Sequence, residues 1–124
     1  LNIAHYYKHL FVDIVIEPNM SGNCFLSTEK LWRCIVARRP FIIMSNRDHL
    51  HHLHKLGFQT FDKWIDESYD TETHHVKRMS KLFIEIDKLN NYSYNQCKDM
   101  LNDMKDILEH NFHNLQYLLK QKGI

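Results

Sequence analysis

Two short segments that favour β-strands, separated by a helical pattern, constrain the fold of this chain most. Residues 11–17 (FVDIVIE) and 40–44 (PFIIM) are rich in β-branched and apolar side chains, and residues 27–38 between them place apolar side chains at helical spacing. A second helical pattern at 48–56 leads into FQTFD, which fits a third strand or an extended edge. This alternation indicates consecutive right-handed βαβ units and a parallel sheet.

The C-terminal part of the chain predicts helices alone. Apolar side chains recur at steps of three and four from Val76 to Ile86, and again from Cys97 to Leu119. Ser93 followed by Gln96 fits a capping box at the start of the second series. The two helices are predicted to form an antiparallel hairpin that packs on the sheet or on a partner chain.

These patterns predict an α/β fold in which a small parallel three-stranded Rossmann-like sheet with flanking helices precedes a C-terminal antiparallel helical hairpin. Residues 1–70 form the βαβαβ part, which is half of a doubly wound fold, and residues 71–124 form the hairpin. Both belong to a single domain, because 124 residues with 44% apolar content suit one globular core. Gly57 is predicted to end the second helix.

The composition excludes several classes of protein. Sixteen Lys and Arg against fifteen Asp and Glu argue against attraction of the whole surface to nucleic acid or to an anionic membrane. Cys24, Cys34 and Cys97 form no CxxC pair, which disfavours a zinc ribbon or a disulfide framework and favours a reducing, cytoplasmic location. No apolar run approaches the roughly 20 residues of a membrane helix. The first residue is Leu1 and not Met, which fits an excised domain or an incomplete reading frame.

The start of the first helix carries a charge cluster that suits an anion. Thr28, Glu29, Lys30 and Arg33 occupy its first turns, and helix N-termini hold phosphate through unpaired N–H groups and a partial positive charge. Lys30 and Arg33 lie one turn apart and can flank a diphosphate. Glu29, or Glu17 at the carboxyl end of the preceding strand, can accept hydrogen bonds from ribose hydroxyls, since ligands of open α/β sheets bind at that edge.

A simpler interpretation of the same residues stays open. Glu29 complements the dipole of the helix, and Lys30 and Arg33 are solvated surface cations.

The string TEKLW followed by RRPF, with Glu17 upstream, resembles the donor-binding half of two-domain glycosyltransferases. It is similar in particular to the fucosyltransferase pattern, in which an acidic residue precedes a loop, a Thr-Glu-Lys helix start and then a strand. The resemblance covers about residues 11–72 and implies that Glu29 and Lys30 contact the ribose and phosphates of a nucleotide sugar. The chain departs from the family in having no visible acceptor domain and no catalytic base from one. Its segment LGFQTFDKWIDESYD also looks like uncharacterised proteins of phage and environmental origin.

Two further clusters of polar residues are predicted to be structural. The histidines in His49–His54 are separated by three and lack a completing carboxylate, so we interpret them as a solvated surface and predict no metal site. Asp62, Asp66, Glu67 and Asp70 are interpreted as part of a loop leading into the next helix, with Asp70 or Thr71 as the cap of that helix. Metal binding or acid–base work by these carboxylates is the alternative.

The leading functional prediction is a nucleotide-sugar-binding donor domain, or a relic of one, with no cofactor and no assigned catalytic residue. Whether it is an enzyme stays open. The expected ligand is a nucleotide diphosphate sugar, and neither nucleic acid nor a membrane is expected as a partner. The alternative is a non-catalytic interaction module of phage or environmental type, which forms a homodimer through the series from Cys97 to Leu119.

Overall fold

A computed structural model describes residues 12–16 and 29–123, and within them it shows one parallel sheet of two strands. Strand β1 spans Asp13–Ile16 and strand β2 spans Phe41–Met44. Their register pairs Asp13 with Phe41 and Ile16 with Met44. Helix α1, Glu29–Val36, lies between them in sequence, so the predicted first βαβ unit is present.

The predicted three-stranded Rossmann-like sheet is wrong, because the segment FQTFD forms no strand. Its backbone is instead bound by a side chain: Asn111 Oδ1 accepts from the Gln59 N–H at 2.8 Å, and Asn111 Nδ2 donates to the Gln59 carbonyl at 2.9 Å. Phe58, Thr60 and Phe61 are all buried, which breaks the alternation that a half-exposed strand requires. One carboxamide therefore satisfies the backbone groups that a neighbouring strand would have paired.

Most of the remaining described residues are helical. Helix α2 spans His49–Lys55, and a 3₁₀ helix at Glu67–Thr71 follows it. Helix α3 then spans His75–Asn90, α4 spans Tyr94–Asp103 and α5 spans Lys105–Gln121. Gly57 follows α2 with φ +95°, so the predicted glycine stop is confirmed. No helix in the described ranges has both the length and the apolarity needed to cross a membrane.

The C-terminal helices differ from the predicted antiparallel hairpin. The expected long helix is divided into α4 and α5, with the fully buried Met104 between them. Helix α5 packs against α1, whereas α3 packs against the 3₁₀ helix and β2. The two predicted helical segments, Val76 to Ile86 and Cys97 to Leu119, therefore cover different parts of the sheet layer. The predicted capping box is confirmed: Ser93 Oγ accepts from the Gln96 N–H at 3.1 Å, and Gln96 Oε1 accepts from the Ser93 N–H at 2.8 Å.

A continuous apolar core joins the two parts of the chain. Strand β2 lies at its centre, with Phe41, Ile42 and Ile43 all at most 2% exposed. Phe41 meets Phe61 edge to face with their ring centroids 5.1 Å apart. The C-terminal part adds four buried apolar side chains, which are Leu82 on α3, Met104 between α4 and α5, and Leu108 and Leu115 on α5.

Candidate anion-binding depression

An open depression of about 380 Å³ lies beside α1 and β1. Helix α1 contributes side chains at positions 30, 33 and 34, which share one face because they are three and four residues apart, and Ala37 follows just after the helix. We name this surface the α1 depression; it is lined by Asp13, Ile14, Val15, Lys30, Arg33, Cys34, Ala37 and Arg39.

The structure brings two of the predicted binding residues together in this depression. Lys30 and Arg33 both line it and are exposed. Arg33 Nη2 lies 3.7 Å from Glu29 Oε1, but the two side chains are 77% and 80% exposed, so this ion pair is weak. Glu29 therefore stands beside the depression as a partner of Arg33. Glu17 and Thr28, the other two predicted residues, lie outside the described residues.

A third cation and a carboxylate in the depression were not predicted from the sequence. Arg39 holds Asp13 in a bidentate pair: Nε donates to Oδ2 at 2.8 Å and Nη2 donates to Oδ1 at 2.9 Å. The Cys34 thiol also donates to Asp13 Oδ2, at 3.3 Å. The parallel register explains this cluster, because Asp13 N–H donates to the Pro40 carbonyl and so brings Arg39 alongside. Only the register, which the sequence does not state, could have revealed the pair.

The electrostatics of the α1 depression favour an anion and disfavour thiol chemistry. Counting only the residues that the structure describes, three cations face the two carboxylates of Asp13 and Glu29, which gives a formal excess of one positive charge. Burial, reinforced by the hydrogen bond to Asp13, raises the pKa of Cys34 to about 12. The thiol therefore stays protonated near neutral pH and cannot serve as a nucleophile. Lys30 and Arg33 present their charges to the depression, whereas Arg39 is held by Asp13.

The histidine cluster agrees in part with its predicted role as a solvated surface. His51 and His54 are exposed, but His49 is only 6% exposed, so the prediction is wrong for that residue. Its Nδ1 lies 3.2 Å from Ser45 Oγ, and burial lowers the pKa of His49 to about 4. Within the described part of the chain, no group of three or more His, Cys, Asp or Glu could hold a metal ion.

The acidic cluster binds backbone and hydroxyl groups of the chain itself. Glu67 accepts from Thr60 Oγ1 at 2.6 Å and from the Phe61 N–H at 3.2 Å, and burial raises the pKa of Glu67 to about 7. Asp66 accepts from the Ser68 N–H, and among the described carboxylates no group could hold a metal ion. The structural interpretation of the cluster therefore fits these contacts.

Asp70 acts as a helix cap, but for a different helix from the one predicted. Its Oδ1 accepts from the Leu50 N–H at 2.8 Å and its Oδ2 from the His51 N–H at 3.1 Å, so it caps α2. Helix α3 is capped by His74, whose Nδ1 accepts from the Lys77 N–H at 3.3 Å.

No family model matches the chain, and no curated protein or solved structure is significantly similar to it. The resemblance to glycosyltransferases therefore stays a prediction that depends on residues 11–72 alone.

Proposed function

We propose that the α1 depression binds the diphosphate of a nucleotide sugar. The observation that supports this proposal is that Lys30, Arg33 and Arg39 line one concave surface beside the first turns of a helix. Arg39 is held by Asp13, so Lys30 and Arg33 would supply the donors that turn toward the phosphates. Glu29, and Glu17 on the preceding segment, would accept from the ribose hydroxyls, as the Thr-Glu-Lys resemblance implies.

The proposed activity is binding and orientation of the donor. A guanidinium and an ammonium near the diphosphate would stabilise negative charge on a leaving nucleotide, which is how such sites lower a barrier to transfer. The described residues offer no activated nucleophile in the depression, because Cys34 is protonated. The chain is accordingly proposed as a donor domain, or a relic of one, and an acceptor site is left to another polypeptide segment.

The test is titration calorimetry with nucleoside diphosphates and their sugars, preceded by a thermal-shift screen of the same ligands. Lys30→Ala should abolish measurable binding, and Arg33→Ala should weaken it about tenfold or more, the loss expected for one charge-assisted hydrogen bond. Lys63→Ala, an exposed lysine remote from the α1 depression in sequence, is the matched control and should bind normally. Circular dichroism should be unchanged in all three variants, because the replaced side chains are exposed.

Unchanged affinity in Lys30→Ala would contradict the proposal. So would a melting temperature that no nucleoside diphosphate raises.

A further inference from the structure

The outward side of α3 carries large apolar side chains that do not contribute to the core. Val76, Phe83 and Ile84 are 64%, 56% and 59% exposed, whereas Leu82 and Glu85 on the inward side are buried. Phe83 and Ile84 also line an open depression of about 410 Å³. Clustered apolar exposure of this kind marks a surface that binds another molecule more often than isolated exposed residues do. We name it the α3 outer face; it comprises Val76, Lys77, Ser80, Phe83, Ile84 and Asp87.

Two opposite charges, Lys77 and Asp87, flank this apolar centre. Lys77 stands toward the start of α3 and Asp87 toward its end, on the same side of the helix because residues at steps of three and seven align. The side chains of both are exposed. Lys77 lies near enough to Glu72 to help lower the pKa of that carboxyl, whereas the Asp87 side chain makes no hydrogen bond or ion pair within the described ranges. By contrast, Lys81 and Lys88 pair with Glu72 and Glu85.

Residues on this face are placed so that two copies of α3, packed antiparallel, bring complementary side chains opposite each other. Lys77 and Asp87 are placed symmetrically about position 82, and so are Ser80 and Ile84. A two-fold axis at the level of residue 82 along the helix would place Lys77 of each copy opposite Asp87 of the other. It would also place each Ile84 opposite a small Ser80, which lets two helices approach closely. Contacts across a two-fold axis occur twice, so each of these pairs counts double.

We propose that a second copy of this chain packs its α3 antiparallel against the α3 outer face. Lys77 then pairs with the partner's Asp87, and Ile84 packs on the partner's Ser80. The opposite charges at the two ends set the antiparallel direction, since a parallel pair would place like charges together. The proposal is independent of ligand binding at the α1 depression.

This surface differs from the one that the sequence suggested for self-association. In the series from Cys97 to Leu119, Met104, Leu108 and Leu115 are buried in the core of the same chain. Those side chains are already covered, so they are not free to form the main contact with a partner. The exposed apolar residues of α3 are not covered in this way.

The test uses sedimentation velocity over a concentration series up to about 1 mM. The unaltered chain should show a reversible monomer–dimer equilibrium. Lys77→Glu and Asp87→Lys should each raise the dissociation constant about tenfold or more, because each places two like-charge pairs at the interface. The double variant Lys77→Glu/Asp87→Lys should restore the dimer, since it exchanges the two charges. Lys98→Glu on the exposed side of α4 is the matched control and should change nothing.

Three results would overturn the proposal. The first is a chain that stays monomeric at every concentration. The second is a double variant that associates as weakly as the single ones, which would mean that Lys77 and Asp87 do not meet. The third is a dimer that persists in Phe83→Asp, which would place the interface elsewhere. Phe83 is 56% exposed, so this variant is expected to fold, and circular dichroism checks that it does.

Discussion

At the scale of single residues, Glu67 and His49 have pKa values that burial moves in opposite directions. The pKa of Glu67 is raised to about 7 and that of His49 is lowered to about 4. Both shifts favour the neutral side chain, since burial removes the water that solvates a charge. Hydrogen bonds from Thr60 and from the Phe61 N–H oppose the shift of Glu67 but do not outweigh burial.

These two shifts predict opposite dependences of stability on pH. Folded Glu67 retains its proton between pH 4.5 and about 7 while the unfolded chain loses it, so its contribution is complete below pH 4.5 and is lost as the pH rises to 7. Folded His49 stays neutral between pH 6.5 and about 4, so its contribution is complete above pH 6.5 and is lost as the pH falls to 4. In the unaltered chain the two trends largely cancel.

Substitution should separate the two trends. In Glu67→Gln the free energy of unfolding should rise with pH between 4 and 6.5, and in His49→Asn it should fall between 4.5 and 7. Each change should be of the order of 3 kcal/mol across its window. Urea unfolding at a series of pH values measures both. Identical pH profiles in the two variants would show that neither side chain is titrating as described.

Gly57 is a residue whose replacement should be costly. Its φ of +95° disfavours any side chain, and a Cβ there would lie 2.7 Å from Asn114 Oδ1. Asn114 itself donates to the Leu56 carbonyl at 2.9 Å, so it cannot move without losing that bond. We expect Gly57→Ala to lower the free energy of unfolding by about 2 kcal/mol, measured by urea denaturation.

Gly123→Ala is the control for this prediction. It has a φ of +73° but nothing within 4 Å of the added Cβ, and it lies after the last helix. It should change stability by less than about 0.5 kcal/mol. An equal loss in the two variants would show that the contact with Asn114 is unimportant.

At the scale of elements, the predictions that succeeded concern features that depend on residues close together in the sequence. Strand β2, the glycine stop after α2 and the Ser93–Gln96 capping box depend on residues within a few positions of one another, and all three are present. The third strand failed because the backbone of Gln59 is paired by Asn111, which is 52 residues away in sequence.

The candidate site follows the same division. Lys30 and Arg33 were found because they lie one turn apart on a single helix. The pair between Asp13 and Arg39, like the capping of α2 by Asp70, depends on contacts between segments 20 or more residues apart. No local pattern reports such contacts, so neither was predicted.

The capping box of α4 supports a helix that has no fully buried side chain. Ser93→Ala should therefore lower the free energy of unfolding by about 1 kcal/mol. It should also raise the rate of amide hydrogen exchange in the first turn of α4. Asn102→Ala, at an exposed position near the end of the same helix, is the control and should not lower stability. Exchange rates that are equal in Ser93→Ala and in the unaltered chain would contradict the assigned role of the cap.

At the scale of the whole molecule, the core cluster draws side chains from both parts of the sequence. Trp32 on α1 and Trp64 before the 3₁₀ helix are partly buried against this cluster, so their fluorescence reports on the sheet layer. Leu82 on α3 is fully buried in it. A shared core of this kind couples the C-terminal helices to the strands.

This coupling predicts that damage in α3 is detected at both tryptophans. Leu82→Ala should lower the free energy of unfolding by about 2–5 kcal/mol, the usual cost of a cavity in a core. Tryptophan fluorescence and far-ultraviolet circular dichroism should give the same shifted midpoint. Tyr117→Ala, 59% exposed on α5, is the control and should have little effect. Two separate midpoints in Leu82→Ala would show instead that residues 71–124 unfold independently.

The capping of α2 by Asp70 has a consequence for the order in which the chain acquires structure during synthesis. Helix α2 has only seven residues, and Asp48 at its start makes no side-chain cap bond of its own. The residues of α2 are synthesised, and leave the ribosome, before the Asp70 carboxylate that holds the first turn of that helix. So short a helix is unstable alone in water. We therefore expect α2 to become stable only once the 3₁₀ helix that carries Asp70 has docked against it.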